Sequence, residues 1–100
     1  MRITLREDML CVEGEVDLSN AHRLRAAIEE QRGDGGRTRV EMSGVTFIDS
    51  SGFHAIQRAA SASEDGVVVL VNVPRQIVRL IGILGLDRLP NLEIEGGSDG

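Results

Sequence analysis

The sequence has 100 residues, of which 41% are hydrophobic and 27% charged, with a formal net charge of −5. This length accommodates one domain with a single core, and the negative charge argues against binding to a nucleic-acid backbone, which requires a concentrated basic face. All 11 cationic residues are arginines, so chemistry that depends on a lysine amine is excluded.

The first half of the chain predicts a β-hairpin followed by a helix. Apolar residues alternate with polar ones over residues 2–6 and 10–16, as in two half-buried strands. Helical spacing then runs over residues 21–32. Residues 33–36, Gly-Asp-Gly-Gly, are predicted to be a turn, because they follow a helix and precede a strand over 38–42, the reverse of the order in a phosphate-binding loop.

Residues 45–52, Val-Thr-Phe-Ile-Asp-Ser-Ser-Gly, lead from an apolar run into a predicted helix N-terminus. Asp49 and the two serines carry side-chain oxygens that suit a helix cap, and apolar residues recur at helical spacing from Phe53 onward. We expect exposed hydroxyls on a rigid support, with Gly52 leaving room for another molecule to approach. A plain helix cap without further function is the commoner interpretation of such a segment and stays open at this point.

The last third alternates strand, helix and strand. Residues 67–71 are uniformly apolar, as in a strand covered on both faces. Pro74 suits the start of a helix that Gly85 ends, and Leu92 with Ile94 predicts a short final strand. The order β-β-α-β-α-β-α-β indicates an α/β fold, with a mixed sheet packed against helices and right-handed crossovers between its later strands.

Sites for metals or cofactors are not expected. His22, His54 and Cys11 fall short of any zinc-ligand spacing. The single cysteine cannot form an internal disulfide, no secretory signal opens the chain, and no apolar run is long enough to cross a membrane. We therefore expect a cytoplasmic protein that binds neither membrane nor nucleic acid directly.

A hydrolase is the main enzymatic alternative. His54 follows Ser50 by four residues, a spacing that brings side chains to one face of a helix and imitates a Ser–His pair. The segment lacks the Gly-x-Ser-x-Gly elbow and any recognisable oxyanion-hole sequence, however. We expect no enzymatic activity. Asp17 still stands out among the carboxylates, because it ends a strand at the edge where α/β folds place functional loops.

Three segments together resemble the STAS domain, and within it the bacterial anti-sigma-factor antagonists. They are residues 14–17, Gly-Glu-Val-Asp, residues 45–52, and residues 72–74, Asn-Val-Pro, with the helix that follows. The resemblance implies one STAS domain over residues 1–95. The Gly-Gly-Ser-Asp-Gly composition of residues 96–100 predicts a flexible tail. The sequence departs from the family in ending soon after Ile94, so we expect the final helix typical of the family to be missing.

The resemblance also implies a partner switch in which Ser50 is phosphorylated. In that family an anti-sigma factor, a serine kinase of the histidine-kinase-like ATPase fold, modifies the first serine of the motif, and a PP2C-type phosphatase reverses the modification. The unmodified antagonist binds the anti-sigma factor and frees the sigma factor.

Carried over to this chain, the resemblance gives a set of expected partner-binding residues around Ser50. Phe53 and His54 stand where the family commonly has Leu-Gly, and they are expected to enlarge the side chains on an exposed first helical turn. Asp17 is expected at the kinase-facing rim. The expected partner-binding residues are Asp17, Asp49, Ser51, Gly52, Phe53 and His54.

One other function of the same fold stays open. The chain could be a STAS binding module that is not phosphorylated, such as a stressosome-like or lipid-transport accessory subunit, in which Ser50 only caps a helix.

Overall fold

The computed structural model describes residues 1–32, 36–62 and 64–95. Within them the elements follow the predicted order, with a short 3-10 turn at Leu86–Arg88 before the last strand. The tail and most of the predicted 33–36 turn lie outside the described residues. The elements are β1 (Arg2–Arg6), β2 (Met9–Val16), α1 (Ala21–Glu30), β3 (Arg37–Ile48), α2 (Ser50–Ser61), β4 (Val67–Val71), α3 (Arg75–Leu84) and β5 (Leu92–Glu95).

The five strands form one mixed sheet in the order β1-β2-β3-β4-β5. β1 pairs antiparallel with β2, and every later neighbour is parallel. Each parallel pair therefore needs a crossover, and α1, α2 and α3 supply them. The predicted α/β class with a mixed sheet is confirmed.

The core lies on one face of the sheet. Alternate residues of the strands, including Leu10, Val40 and Leu70, join a single buried cluster with the inner faces of all three helices, represented by Leu24 and Ile81. Aliphatic side chains thus build nearly all of the core. This agrees with a sequence that has only two aromatic residues.

β3 is longer than the sequence predicts. The strand predicted over 38–42 and the apolar run that begins at Val45 form one strand, Arg37–Ile48, whose pairing with β2 is interrupted by two register shifts. Gly44 lies between the two runs, where glycine breaks the apolar alternation. The register shifts restore the inward orientation of Val45 and Ile48, which are both buried.

The second face of β4 is covered by ion pairs. Val69 is fully buried, although its register neighbours are Arg39 and Glu93 on the face away from the helices. Arg37 binds Glu93 at 2.9 Å and Arg39 binds Glu95 at 2.8 Å. Because these pairs join β3 to β5, their side chains cross β4 and cover it.

Candidate functional site

The candidate site lies where β2 and β3 end side by side. Val16 pairs with Ile48 at the end of the parallel ladder, and the Asp49 N–H donates to the Val16 carbonyl at 3.2 Å. Asp17 and Asp49 therefore follow adjacent strand ends at one edge of the sheet. The structure brings both predicted carboxylates to the neighbourhood of Ser50.

Asp49 caps helix α2, as predicted. Its backbone is extended, and its side-chain Oδ1 accepts a hydrogen bond from the Gly52 N–H at 3.2 Å. The Phe53 N–H donates to the Asp49 carbonyl at 3.1 Å, which begins the helical ladder. A single residue thus connects β3 to α2, so the direction of the helix is set by the strand.

Ser50 is the first residue of α2 and its side chain is exposed. Across residues 1–32, 36–62 and 64–95, no hydrogen bond is made by its hydroxyl. Ser51 is half-buried beside it. The Ser50 oxygen is therefore accessible to another molecule, while its backbone belongs to the first turn of a capped helix.

Gly52 has a different function from the one expected. A Cβ built at this position would lie 2.5 Å from Ile48 Cγ1 and 2.9 Å from Val16 Cγ1, far inside van der Waals contact. Gly52 is itself buried. The absent side chain therefore makes room for the ends of β2 and β3, and the expectation that it leaves space for a partner is wrong.

The apolar periodicity places Phe53 correctly on the inner face of α2, whereas the expectation drawn from the family resemblance places it wrongly on an exposed turn. Its side chain is 5% exposed and belongs to the core cluster. The expectation of an enlarged, exposed first turn therefore fails for Phe53 and holds only for His54, which is exposed.

Hydrogen bonds to its own loop hold the Asp17 side chain. Its Oδ1 accepts from the Ser19 hydroxyl at 2.6 Å and from the Ser19 N–H at 3.0 Å, and these bonds lower the pKa of the Asp17 carboxyl below its ordinary value. Asn20 accepts from the Asp17 N–H and donates to the Glu15 carbonyl, both at 3.0 Å. Ser19 and Asn20 thus order the loop between β2 and α1.

Ser50 and His54 do not form the Ser–His pair that their spacing imitates. His54 Nε2 accepts a hydrogen bond from Arg58 Nε at 3.2 Å, one helical turn further along α2. In the described part of the chain, no group of three or more His, Cys, Asp or Glu side chains lies close enough together to hold a metal ion. Likewise, none of the described helices has the length and apolarity required to cross a membrane.

A groove between α1 and α2 begins beside the serines, and sequence reasoning did not find it. Its volume is about 260 Å³. We call it the α1–α2 groove. Residues with cationic or imidazole side chains line it on both sides, together with small residues from both helices and Leu18 and Ser51 at one end. The cationic and imidazole residues are His22, Arg25, His54 and Arg58.

Comparison with known families decides the classification. The family model of the STAS domain matches residues 3–95, nearly the whole chain. The chain belongs to the STAS family. A comparison of this STAS domain with curated protein sequences gives no significant match.

Two solved structures share the fold. One, from Thermotoga maritima, is provisionally named an anti-sigma factor antagonist; it superposes with a TM-score of 0.71 at 21% identity, over 94% of this chain and 84% of that one. The other is the anti-sigma factor antagonist SpoIIAA in its unphosphorylated form, with a TM-score of 0.58 at 18% identity, over 87% of this chain and 94% of that one. At these identities the likeness establishes the fold of this STAS domain.

Proposed function

We propose that this STAS domain is an anti-sigma-factor antagonist that is switched off by phosphorylation of Ser50. In the unmodified state it binds an anti-sigma factor, a serine kinase of the histidine-kinase-like ATPase fold, and so releases a sigma factor. A PP2C-type phosphatase restores the active form. The partners meet in the cytoplasm, where ATP and sigma factors are available.

The accessible Ser50 hydroxyl at the start of α2 carries this proposal. Its oxygen makes no hydrogen bond within the described residues, so modification breaks no internal contact. In the transfer, the Ser50 oxygen bonds to the γ-phosphorus of ATP as the bond to ADP breaks, and the hydroxyl proton passes to a base of the kinase. The backbone beneath Ser50 is held by the Asp49 cap and the buried residues on either side.

The charge distribution supports inhibition of docking. A phosphate adds about −1.5 to −2 charge and is tolerated at a helix N-terminus, so the fold should survive it. In a docked complex the same charge would lie next to Asp49 and near the end of β2, where Asp17 is ionised. Repulsion and the cost of desolvating three anions together would then weaken the complex.

Intact-mass analysis after incubation with ATP and purified ATPase-type serine kinases tests the modification. A gain of about 80 Da, the mass of one phosphoryl group, should map to Ser50 and disappear in Ser50→Ala. Ser51→Ala is the matched control, because it removes the neighbouring hydroxyl and should leave the gain intact. Modification that persists in Ser50→Ala would contradict the proposal.

Binding to the same kinase tests the switch. Ser50→Asp should weaken binding at least tenfold, equivalent to about 1.4 kcal/mol, whereas Ser50→Ala should bind like the wild type. Both variants change only an exposed side chain, so circular dichroism should report unchanged folding. Equal affinity of Ser50→Asp and wild type would remove the switch and leave a plain STAS binding module.

A further inference from the structure

The α1–α2 groove stands apart from the rest of this acidic chain in its charge. The chain carries a net charge of −5, yet the groove is lined by two arginines and two histidines and by no carboxylate. Its buried members are the small residues Ala21 and Ala55. An open groove with small buried residues at its base and two arginines among its lining residues is complementary to an anionic chain segment.

Arg58 is the residue of the groove that is best placed to bind an anion. Its Nε is used by His54, which leaves the two terminal nitrogens of the guanidinium to bind a carboxylate. Within the part of the chain that the structure describes, Arg58 forms no ion pair, whereas Arg25 on the opposite side pairs with Glu29 at 2.7 Å. A guanidinium that is oriented by a neighbouring side chain, and whose terminal nitrogens are not bound to a carboxylate, is suited to bidentate binding of a carboxylate from another molecule.

The dimensions of the groove favour a peptide segment over a single small anion. The α2 side runs from Ser51 to Arg58, a rise of about 10 Å at 1.5 Å per residue. An extended segment of about three residues spans this length. Leu18 is 80% exposed at the end near Ser51, where it would contact an apolar side chain of the same segment.

We infer that the α1–α2 groove binds an acidic segment of the protein partner, with glutamate or aspartate at Arg58 and an apolar residue at Leu18. This inference rests on the proposed function, since it names the part of the partner that lies beside Ser50. The groove begins at Ser51, so a kinase placed over the Ser50 hydroxyl reaches it directly. Anchoring there positions the hydroxyl without using the hydroxyl as a contact.

A model peptide tests the groove without the kinase. The probe is the capped heptapeptide Ser-Leu-Glu-Glu-Leu-Glu-Ser, titrated into the full, isotopically labelled chain and followed by amide chemical shifts. Saturable shifts should concentrate in residues 18–25 and 51–58, and raising the salt from about 0.05 to about 0.5 M should weaken binding at least tenfold, as screening predicts. The same peptide with glutamine in place of glutamate should not bind.

Two charge reversals provide the matched comparison. Arg58→Glu should abolish peptide binding, while Arg79→Glu, on the exposed side of α3, should leave it unchanged. Both variants should keep the dispersed amide spectrum of the folded chain. Binding that survives in Arg58→Glu, binding of the glutamine peptide, or no shifts up to millimolar peptide would overturn the inference.

The kinase reaction separates this inference from the proposed function. With a kinase that modifies Ser50, Arg58→Glu should raise KM for the chain several-fold with little change in kcat, because the groove contributes binding but not chemistry. An unchanged KM would refute the groove alone, with phosphorylation intact. Absence of any modification at Ser50 in a chain that binds the peptide would refute the proposed function alone.

Discussion

The two strand-to-helix junctions at the candidate site are built in opposite ways. Between β3 and α2 there is one residue, Asp49. Ile48, which ends β3, and Phe53, in the first turn of α2, are each 5% exposed. Between β2 and α1 there are four residues, 17–20, which include a leucine that is 80% exposed. This second junction is held by Ser19, which donates to the Asp17 carboxylate, and by Asn20, which accepts from the Asp17 N–H and donates to the Glu15 carbonyl.

The difference separates a rigid junction from an adaptable one. Apolar packing fixes the start of α2, and removing a buried side chain there costs several kcal/mol. The side-chain hydrogen bonds of the β2–α1 junction lie mostly at the surface, where water competes for the same donors and acceptors and each bond adds little to stability. The first junction can therefore present Ser50 in one geometry, while the second can adjust to a docked partner.

The largest expected effect tests the packing under Ser50. Phe53→Ala removes a ring from the core and should destabilise the fold by about 3–5 kcal/mol in urea denaturation. Phe47→Ala is the matched control, since the other phenylalanine is 50% exposed and its loss should cost less than about 1.5 kcal/mol. Equal losses for the two variants would mean that the first turn of α2 is not anchored in the core.

The next effect tests the close approach at Gly52. Gly52→Ala places a methyl group 2.5 Å from Ile48 Cγ1 and should destabilise the fold by about 1–3 kcal/mol, as overpacking does. Gly82→Ala is its control. Gly82 is at an exposed position of α3 with nothing within 4 Å of the added Cβ, so this variant should stabilise the fold by about 0.5–1 kcal/mol. If Gly52→Ala also stabilised, the packing argument would fail.

Apolar periodicity carries the predictable part of the fold. The order of strands and helices follows from it. The Asp49 cap and the Gly85 end of α3, where Gly85 is in the left-handed conformation, follow from residue types that suit helix ends. The spacing of apolar residues reflects the period of a single helix or strand, and helix ends are fixed by a few neighbouring residues, so both can be predicted from the sequence.

The error at Gly52 has a different origin. Whether Gly52 faces a partner or the ends of two strands depends on how α2 crosses the sheet, and residues 36 positions apart, Val16 and Gly52, decide it. The cover of β4 by ion pairs between β3 and β5 and the α1–α2 groove likewise depend on strand order. Such contacts are set by tertiary packing, which the spacing along one chain does not contain.

A smaller effect separates the two properties of Asp49. Asp49→Ala removes the side-chain oxygen that accepts the Gly52 N–H and should cost about 1 kcal/mol. Asp49→Asn keeps an acceptor and should retain most of that stability while removing the charge. If repulsion between Asp49 and phosphorylated Ser50 weakens docking, the phosphorylated Asn variant should bind the kinase more tightly than the phosphorylated wild type. Identical affinities of the two phosphorylated proteins would mean that the charge of Asp49 does not contribute to the loss of binding.

The smallest effect concerns the adaptable junction. The Ser19 hydroxyl is the main cause of the lowered pKa of Asp17, so Ser19→Ala should raise that pKa towards its ordinary value, while the bond from the Ser19 N–H keeps part of the shift. Carbon NMR of the carboxyl group during an acid titration measures the change. Ser43→Ala is the control, because Ser43 bonds to a different carboxyl, that of Glu41. Partial burial raises the pKa of Glu41, but hydrogen bonds from Ser43 and Asn72 outweigh this effect and leave the pKa below its ordinary value. Ser43→Ala should therefore leave the pKa of Asp17 unchanged.

The same titration has a consequence for stability with a definite sign. A carboxyl whose pKa is lower in the folded than in the unfolded chain stabilises the fold above the ordinary Asp pKa, and loses that contribution as pH falls through the folded value. The wild type should therefore lose slightly more stability than Ser19→Ala between pH 5 and the acid limit of folding, as followed by urea denaturation at each pH. A parallel loss in both proteins would mean that the loop bond has no energetic weight, and Asp17 would then be held by the Asn20 bridge between the Asp17 N–H and the Glu15 carbonyl.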